Sequence, residues 1–148
     1  MGHNIRAFIG KEDVISKMAS SWLMEYKPLK QGYALLFLTD RLFDDMTELE
    51  GSEDQLNCKE LNFFTTAIQN IMEPYTFRQE MAYIETDYFG GVGTQAGLLM
   101  RNQQIVIGPQ QGAGTINVLL REMGVYCEKG QDEFASLELY KYRRMESC

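Results

Sequence analysis

The chain is poor in the residues on which most side-chain chemistry depends. It holds a single histidine, His3, among 148 residues. That excludes H-E-x-x-H and two-histidine metal sets. A Ser-His-Asp or Cys-His pair would have to recruit His3 from the chain end, and an ordinary residue opening the first strand is the simpler expectation. The three cysteines, Cys58, Cys127 and Cys148, are odd in number and widely spaced. With no C-x-x-C, they argue against a disulfide framework or a zinc site and for reduced thiols in a cytoplasmic protein. Long apolar runs are missing too. The longest, Tyr33–Leu38, has six residues, against the roughly 20 that a membrane-spanning helix needs. Near the start, Ala7-Phe8-Ile9 is interrupted by Lys11, Glu12 and Asp13, so no secretory leader is expected. Positive charge is also scarce: 14 Lys and Arg face 21 Asp and Glu, for a net −7. Neither a sequence-independent nucleic-acid binder nor adsorption to an anionic membrane fits that balance.

What is present is the material of a globular core. Hydrophobic residues make up 45% and charged residues 24%, and the length fits one domain over residues 1–148. His3–Ile9 alternates as a first strand, ended by Gly10. Val14, Ile15, Met18, Ala19 and Trp22 fall at helical spacing, which predicts a helix over Glu12–Leu23 that Pro28 forbids from extending. The continuous run Tyr33–Leu38 suits a strand covered on both faces. The crossover between the first two strands allows them to be parallel. Asn57 followed by Glu60 has the form of a capping box, and Leu61, Phe64, Ile68, Ile71 and Met72 continue an apolar stripe that Pro74 closes. Arg78–Phe89 reads as a long strand and Thr94–Arg101 as its hairpin return. Ile105–Ile107 is a short third strand, and Gly108–Gly114 a flexible loop before a helix capped by Thr115 and ended by Gly124. Val125–Cys148 carries no clear pattern; Phe134, Leu137 and Leu139 could dock a short turn and strand on the core. This pattern predicts an α+β fold: a mixed, mainly antiparallel sheet with about three helices on one face.

Two glycine-rich stretches invite a ligand. Gly91-Val92-Gly93-Thr94-Gln95-Ala96 matches G-x-G-x-x-A, but the dinucleotide motif needs a helix to follow, and Gly97 makes a poor first turn. A hairpin turn is the plainer reading. Gly112-Ala113-Gly114-Thr115 does precede a helix, whose free N–H groups can hold a small anion. No P-loop motif occurs and no cofactor is expected.

The strongest local feature is charge. Asp40, Asp44, Asp45, Glu48, Glu50, Glu53 and Asp54 stand against Arg41 alone, so this stretch carries −6 of the chain's −7. Leu42, Phe43, Met46 and Leu49 let one side pack while the acids face water. Either the segment is a solvated face that keeps the protein soluble, or it is a negative surface that steers a basic partner. Asp44, Asp45 and Glu48 are close enough for a calcium or magnesium ion, but the EF-hand spacing is absent. Glu85 and Asp87 share a strand face and extend the patch if the fold brings them near. Tyr83, Tyr140 and Tyr142 are candidate interface anchors.

Four stretches taken together resemble a known group: Asn4–Ile9, Leu36–Leu42, Tyr88–Gln95 and Asp132–Leu137. The chain resembles small bacterial cytoplasmic proteins of the immunity type, which accompany contact-dependent growth inhibition and other polymorphic toxin systems. The resemblance covers most of the chain and includes no activity motif. It implies a non-enzymatic inhibitor that binds one cognate toxin. Many such toxins are basic nucleases, and an acidic binder can cover their nucleic-acid groove. The residues expected to meet the partner are Asp44, Asp45, Glu48, Glu50, Glu53 and Asp54, with Glu85 and Asp87. The alternative is a small-molecule or nucleotide-binding module built on loops 90–97 and 108–114. A small carboxylate- and tyrosine-based enzyme ranks last, for want of a histidine base.

Overall fold

Arg6–Lys11 forms the strand β1, whose residues Ala7 to Gly10 are all buried. The computed structural model describes residues 2–51, 58–89 and 92–145. The chain passes straight from β1 into helix α1 (Glu12–Ser21), with Glu12 and Asp13 in the first turn, where carboxylates complement the helix dipole. The helix stops two residues short of the sequence expectation. Leu23 adopts a left-handed conformation (φ 56°), and Met24 N–H returns to Ala19 O at 2.8 Å. That pattern closes the helix well before Pro28.

A two-residue strand β2 (Lys27–Pro28) leads into β3 (Tyr33–Phe37), which pairs with β1 in antiparallel register from Lys11↔Tyr33 to Ala7↔Phe37. The parallel pairing allowed by the sequence is therefore corrected. The segment after α1 folds back through β2, so β3 starts beside the residue where β1 ends. Helix α2 (Asp40–Glu50) follows, capped by Thr39 Oγ1, which accepts from Leu42 N–H, and closed by Gly51 at φ 67°.

Helix α3 spans Thr66–Tyr75, with Thr65 Oγ1 accepting from Ile68 N–H. The expected capping box at Asn57 and Glu60 is thus not the helix start; Asn57 lies outside the described residues. The physical reason is visible at Asn62 and Phe63. Their N–H groups donate to the Glu85 carboxylate, which commits residues 61–64 to a loop although Leu61 and Phe64 are buried as the apolar stripe requires. Pro74 sits inside the last turn of α3 rather than beyond it.

Strands β4 (Glu80–Phe89), β5 (Val92–Arg101) and β6 (Gln104–Gln111) complete one sheet of order β2-β3-β1-β4-β5-β6, every neighbouring pair antiparallel. Residues expected in a loop after Ile107 belong to β6, which continues past a register shift opposite Gly97 and Leu99. Helix α4 (Thr115–Met123) begins after Gly114, and Thr115 donates its hydroxyl to Gly112 O instead of capping. Helix α5 (Glu133–Ser136) and a 3₁₀ turn at Leu139–Lys141 are the last helical elements described, after which Arg144 bridges to Asn4.

The fold is α+β, with helices on both faces of the sheet and not on one. Phe8, Leu36, Tyr83, Leu98 and Met100 pack under α1, α2 and α3. Ala7, Ile9, Leu35, Ile84 and Leu99 pack under α4 and the segment around Leu137 and Leu139. Consecutive residues of β4 from Met81 to Ile84 are all fully buried, as a strand covered on both sides requires. Gly97 sets how closely α4 approaches. A Cβ there would stand 2.7 Å from Tyr83 O and 2.8 Å from Leu119 Cδ1. Gly97→Ala is expected to destabilise by about 1–3 kcal/mol through overpacking. A lower urea midpoint at unchanged slope checks it; an unchanged midpoint would show that the α4 contact has room to yield.

Candidate functional site

Alternating burial along α2 sorts its residues. Leu42 and Met46 face the core, and Phe43 meets Phe63 edge-on at 5.5 Å. The opposite side carries Asp44, Asp45 and Glu48, all exposed. Their spacing places Glu48 one turn from both aspartates. Among the described residues, none of these three carboxylates has an ion-pair or hydrogen-bond partner. Leu49 lies at the edge of the same stripe and is 70% exposed. The outward face of α2 is therefore acidic, unneutralised and bordered by a bare leucine.

The remaining acids of the cluster have other fates. Asp40 is paired with Arg6 Nη2 at 2.6 Å. Glu50 is exposed and accepts from Asn70 Nδ2 at 3.2 Å. Glu53 and Asp54 lie outside the described residues.

Glu85 corrects the sequence reading most sharply. It does not extend an outward surface: it is 8% exposed, and its carboxylate is consumed inside the protein. Oε1 accepts from Asn62 N–H at 2.7 Å, and Oε2 accepts from Phe63 N–H at 2.8 Å and from the Tyr83 hydroxyl at 2.7 Å. Tyr83 is fully buried and so is no surface anchor. Burial, and then the neighbouring Glu85 charge and hydrogen bond, hold its phenol well above the ordinary range. Asp87, two residues further along the same strand face, is exposed. It shares with Glu60, Glu85 and Arg6 the wall of an open cavity of about 300 Å³. Tyr140 is exposed, and Tyr142 packs against Phe37.

Arg6 joins this cavity to α2, a role the sequence did not single out. Its Nε donates to Leu38 O at 3.0 Å, Nη2 reaches Asp40, and the guanidinium carbon lies 3.9 Å from the Phe63 ring centre. The alternation that put Arg6 opposite Ala7 on the first strand was a signal of side, not of partner. The glycine loops offer less. Val92–Arg101 is a strand paired with β4 along its length, so no helix follows the G-x-G-x-x-A match. At the start of α4, Ile116 N–H already donates to Gln95 Oε1 at 2.7 Å. That side chain occupies the place proposed for an anion. Among the described residues no three His, Cys, Asp or Glu side chains converge on a metal position.

His3 is bound into the sheet end. Nε2–H donates to Leu139 O at 3.1 Å, which leaves Nδ1 to accept the Thr86 hydroxyl at 2.8 Å. Thr86 Oγ1 in turn accepts Ile5 N–H at 3.0 Å. This network fixes the neutral ring in one tautomer. Burial lowers the His3 pKa; the Leu139 carbonyl opposes that shift, and the Arg143 charge adds to it. The folded protein thus takes up the proton less readily than the unfolded chain. Stability is full at neutral pH and declines as pH falls through the ordinary histidine value of about 6.5. Urea midpoints measured from pH 7.5 to 5.5 are expected to fall, and His3→Gln to flatten that slope. An equal slope in the variant would remove His3 from the account.

The chain matches no protein-family model, no curated protein and no solved structure.

Proposed function

We propose that this protein is a binding protein and not an enzyme: an immunity-type inhibitor that neutralises a cognate toxin by covering a basic surface, of the kind nucleases use to hold nucleic acid. The observation that carries the reading is the outward face of α2. Asp44, Asp45 and Glu48 stand exposed, without neutralising partners among the described residues, beside the bare Leu49. Leu49 adds apolar contact area beside that charge. Interfaces combine the two, with apolar contact at the centre and charge that steers approach. Arg6 and Phe63 hold α2 against β1 and the 61–64 loop, so the face is presented on a supported element.

The working location in this reading is the cytoplasm, where a toxin acting on nucleic acid must be met. None of the described helices is long and apolar enough to cross a membrane. Glu85 has no direct part in contact; it holds the loop that carries Phe63.

The test is co-expression with the product of the neighbouring reading frame. That product alone is expected to arrest growth, and this protein to restore it. In vitro, nuclease activity is expected to vanish at one equivalent of inhibitor. Arrest that persists despite equal expression of this protein would overturn the proposal.

A further inference from the structure

A cavity of about 270 Å³ opens on the other face of the sheet from α2, between the ends of β4 and β5 and the starts of α4 and α5. Its apolar walls are rings. His3 and Phe134 lie 5.4 Å apart at 57°, and Tyr88 faces the same space. Its polar side chains are Gln95, Asn117 and Asp132, with Thr86, whose hydroxyl is already taken by His3 and Ile5 N–H.

Each of these polar groups is fixed from behind by backbone. Gln95 Oε1 accepts Ile116 N–H, Asn117 Oδ1 accepts Phe134 N–H at 2.9 Å, and Asp132 Oδ1 accepts Ala135 N–H at 2.8 Å. The carboxamide orientations follow from those bonds, because only an oxygen accepts. Each NH₂ group then spends one hydrogen internally: Gln95 Nε2 on the Tyr88 hydroxyl at 3.1 Å, and Asn117 Nδ2 on Asp132 Oδ2 at 3.1 Å. A second hydrogen remains on each amide. The Tyr88 hydroxyl accepts from Gln95, and its own proton has no acceptor among the described residues. Asp132 Oδ2 keeps a lone pair. The site therefore offers several neutral donors and one charged acceptor between aromatic walls. Among the described residues that line it there is no lysine or arginine, so it does not suit an anion.

We propose that this cavity binds a planar, uncharged heterocycle that carries N–H and C=O groups on one edge, of the nucleobase or nucleoside class. The rings supply stacking surface. Asp132 takes the N–H, and Tyr88 with the two amides donates to the carbonyl. The volume of about 270 Å³ lies just below the roughly 300 Å³ at which drug-sized ligand pockets begin, and suits a single base or nucleoside. Apolar walls with a few convergent, pre-oriented polar groups are the usual form of such sites. This site is independent of the acidic face and of the inhibitor reading.

The probes are guanosine and uridine, titrated into the full chain and followed by calorimetry and by the side-chain amide resonances of Gln95 and Asn117. Saturable binding of at least one is expected, with both amide pairs shifting. Asp132→Asn keeps the capping oxygen for Ala135 but turns an NH₂ toward both the ligand N–H and Asn117 Nδ2, and is expected to weaken binding at least about tenfold, with the Asn117 side-chain amide shifting in the free protein. Tyr88→Phe removes one donor and is expected to weaken it several-fold, with the rest of the amide spectrum unchanged in both variants. Absence of binding to both nucleosides up to about 2 mM, a Kd beyond what stacking with several hydrogen bonds allows, would overturn the proposal. So would affinity left unchanged by both substitutions.

Discussion

Glu85→Ala is expected to destabilise the protein by about 3–5 kcal/mol, from the loss of three hydrogen bonds to a charged acceptor at about 1.5–3 kcal/mol each, reduced where water can reach the freed donors. The carboxylate serves three donors at once: Asn62 N–H, Phe63 N–H and the Tyr83 hydroxyl. Alanine leaves all three without an acceptor, the Tyr83 hydroxyl fully buried and the Asn62 and Phe63 N–H groups part-buried beside the open cavity. Each unsatisfied buried group costs about 1–3 kcal/mol. For a chain of this size the melting temperature is expected to fall by roughly 10–15 °C. Tyr83→Phe removes a donor but leaves Glu85 with its two backbone partners, so about 1–2 kcal/mol is expected there. Amide exchange distinguishes the loop from the rest. In Glu85→Ala, protection is lost first at Asn62 and Phe63. A variant as stable as wild type would mean that water or another side chain can replace the carboxylate. The loop would then not depend on it.

This cluster also shows where the sequence stopped being informative. The period-2 alternation placed Glu85 on the same strand face as Tyr83 and Asp87 correctly. It could not say whether that face ended under a loop or in solvent. The deciding contact is between residues 23 positions apart, Asn62 and Glu85, and no local pattern reports it. The same contact explains the misplaced helix start. Leu61 and Phe64 follow helical spacing because they are buried, and burial was read as helix. By contrast, α1, α4 and β3 to β5 were legible, because periodicity and punctuation agreed there, whereas the acidic stretch 40–54 reads equally as helix or loop although its caps are in place. Thr39 and Gly51 bracket α2, and Gly124 ends α4 at φ 104°. The sidedness of the sheet was half visible: six continuous apolar residues at Tyr33–Leu38 called for cover on both faces. The second layer comes from α4 and the chain around Leu137, whose weak local pattern hid it. The antiparallel pairing of β1 with β3 turned on the two-residue strand β2, too short to signal itself.

At the candidate surface, the sequence found the charge but not its division. Arg6 takes Asp40, Asn70 takes Glu50, and the 62–63 backbone takes Glu85. Asp44, Asp45 and Glu48 are left outward. Asp44 and Glu48 are like charges four residues apart on a helix, a mildly unfavourable pair. Neutralising the three residues as Asp44→Asn, Asp45→Asn and Glu48→Gln is therefore expected to leave stability within about 0.5 kcal/mol of wild type, as for other surface changes. Folding does not need this charge. If a partner does, the same substitutions are expected to slow association by about 10–10³-fold at low salt, the size of electrostatic steering. Leu49→Ala is expected to act on dissociation instead, because contact made after encounter governs that rate.

The most direct measurement is the association rate with the product of the neighbouring reading frame, taken at several salt concentrations for wild type and for the triple variant. A steep decline with salt in the wild type, and a slow, nearly salt-independent rate in the variant, is the expected pair of results. Equal rates with equal salt dependence would contradict the claim that the α2 face recruits a basic partner.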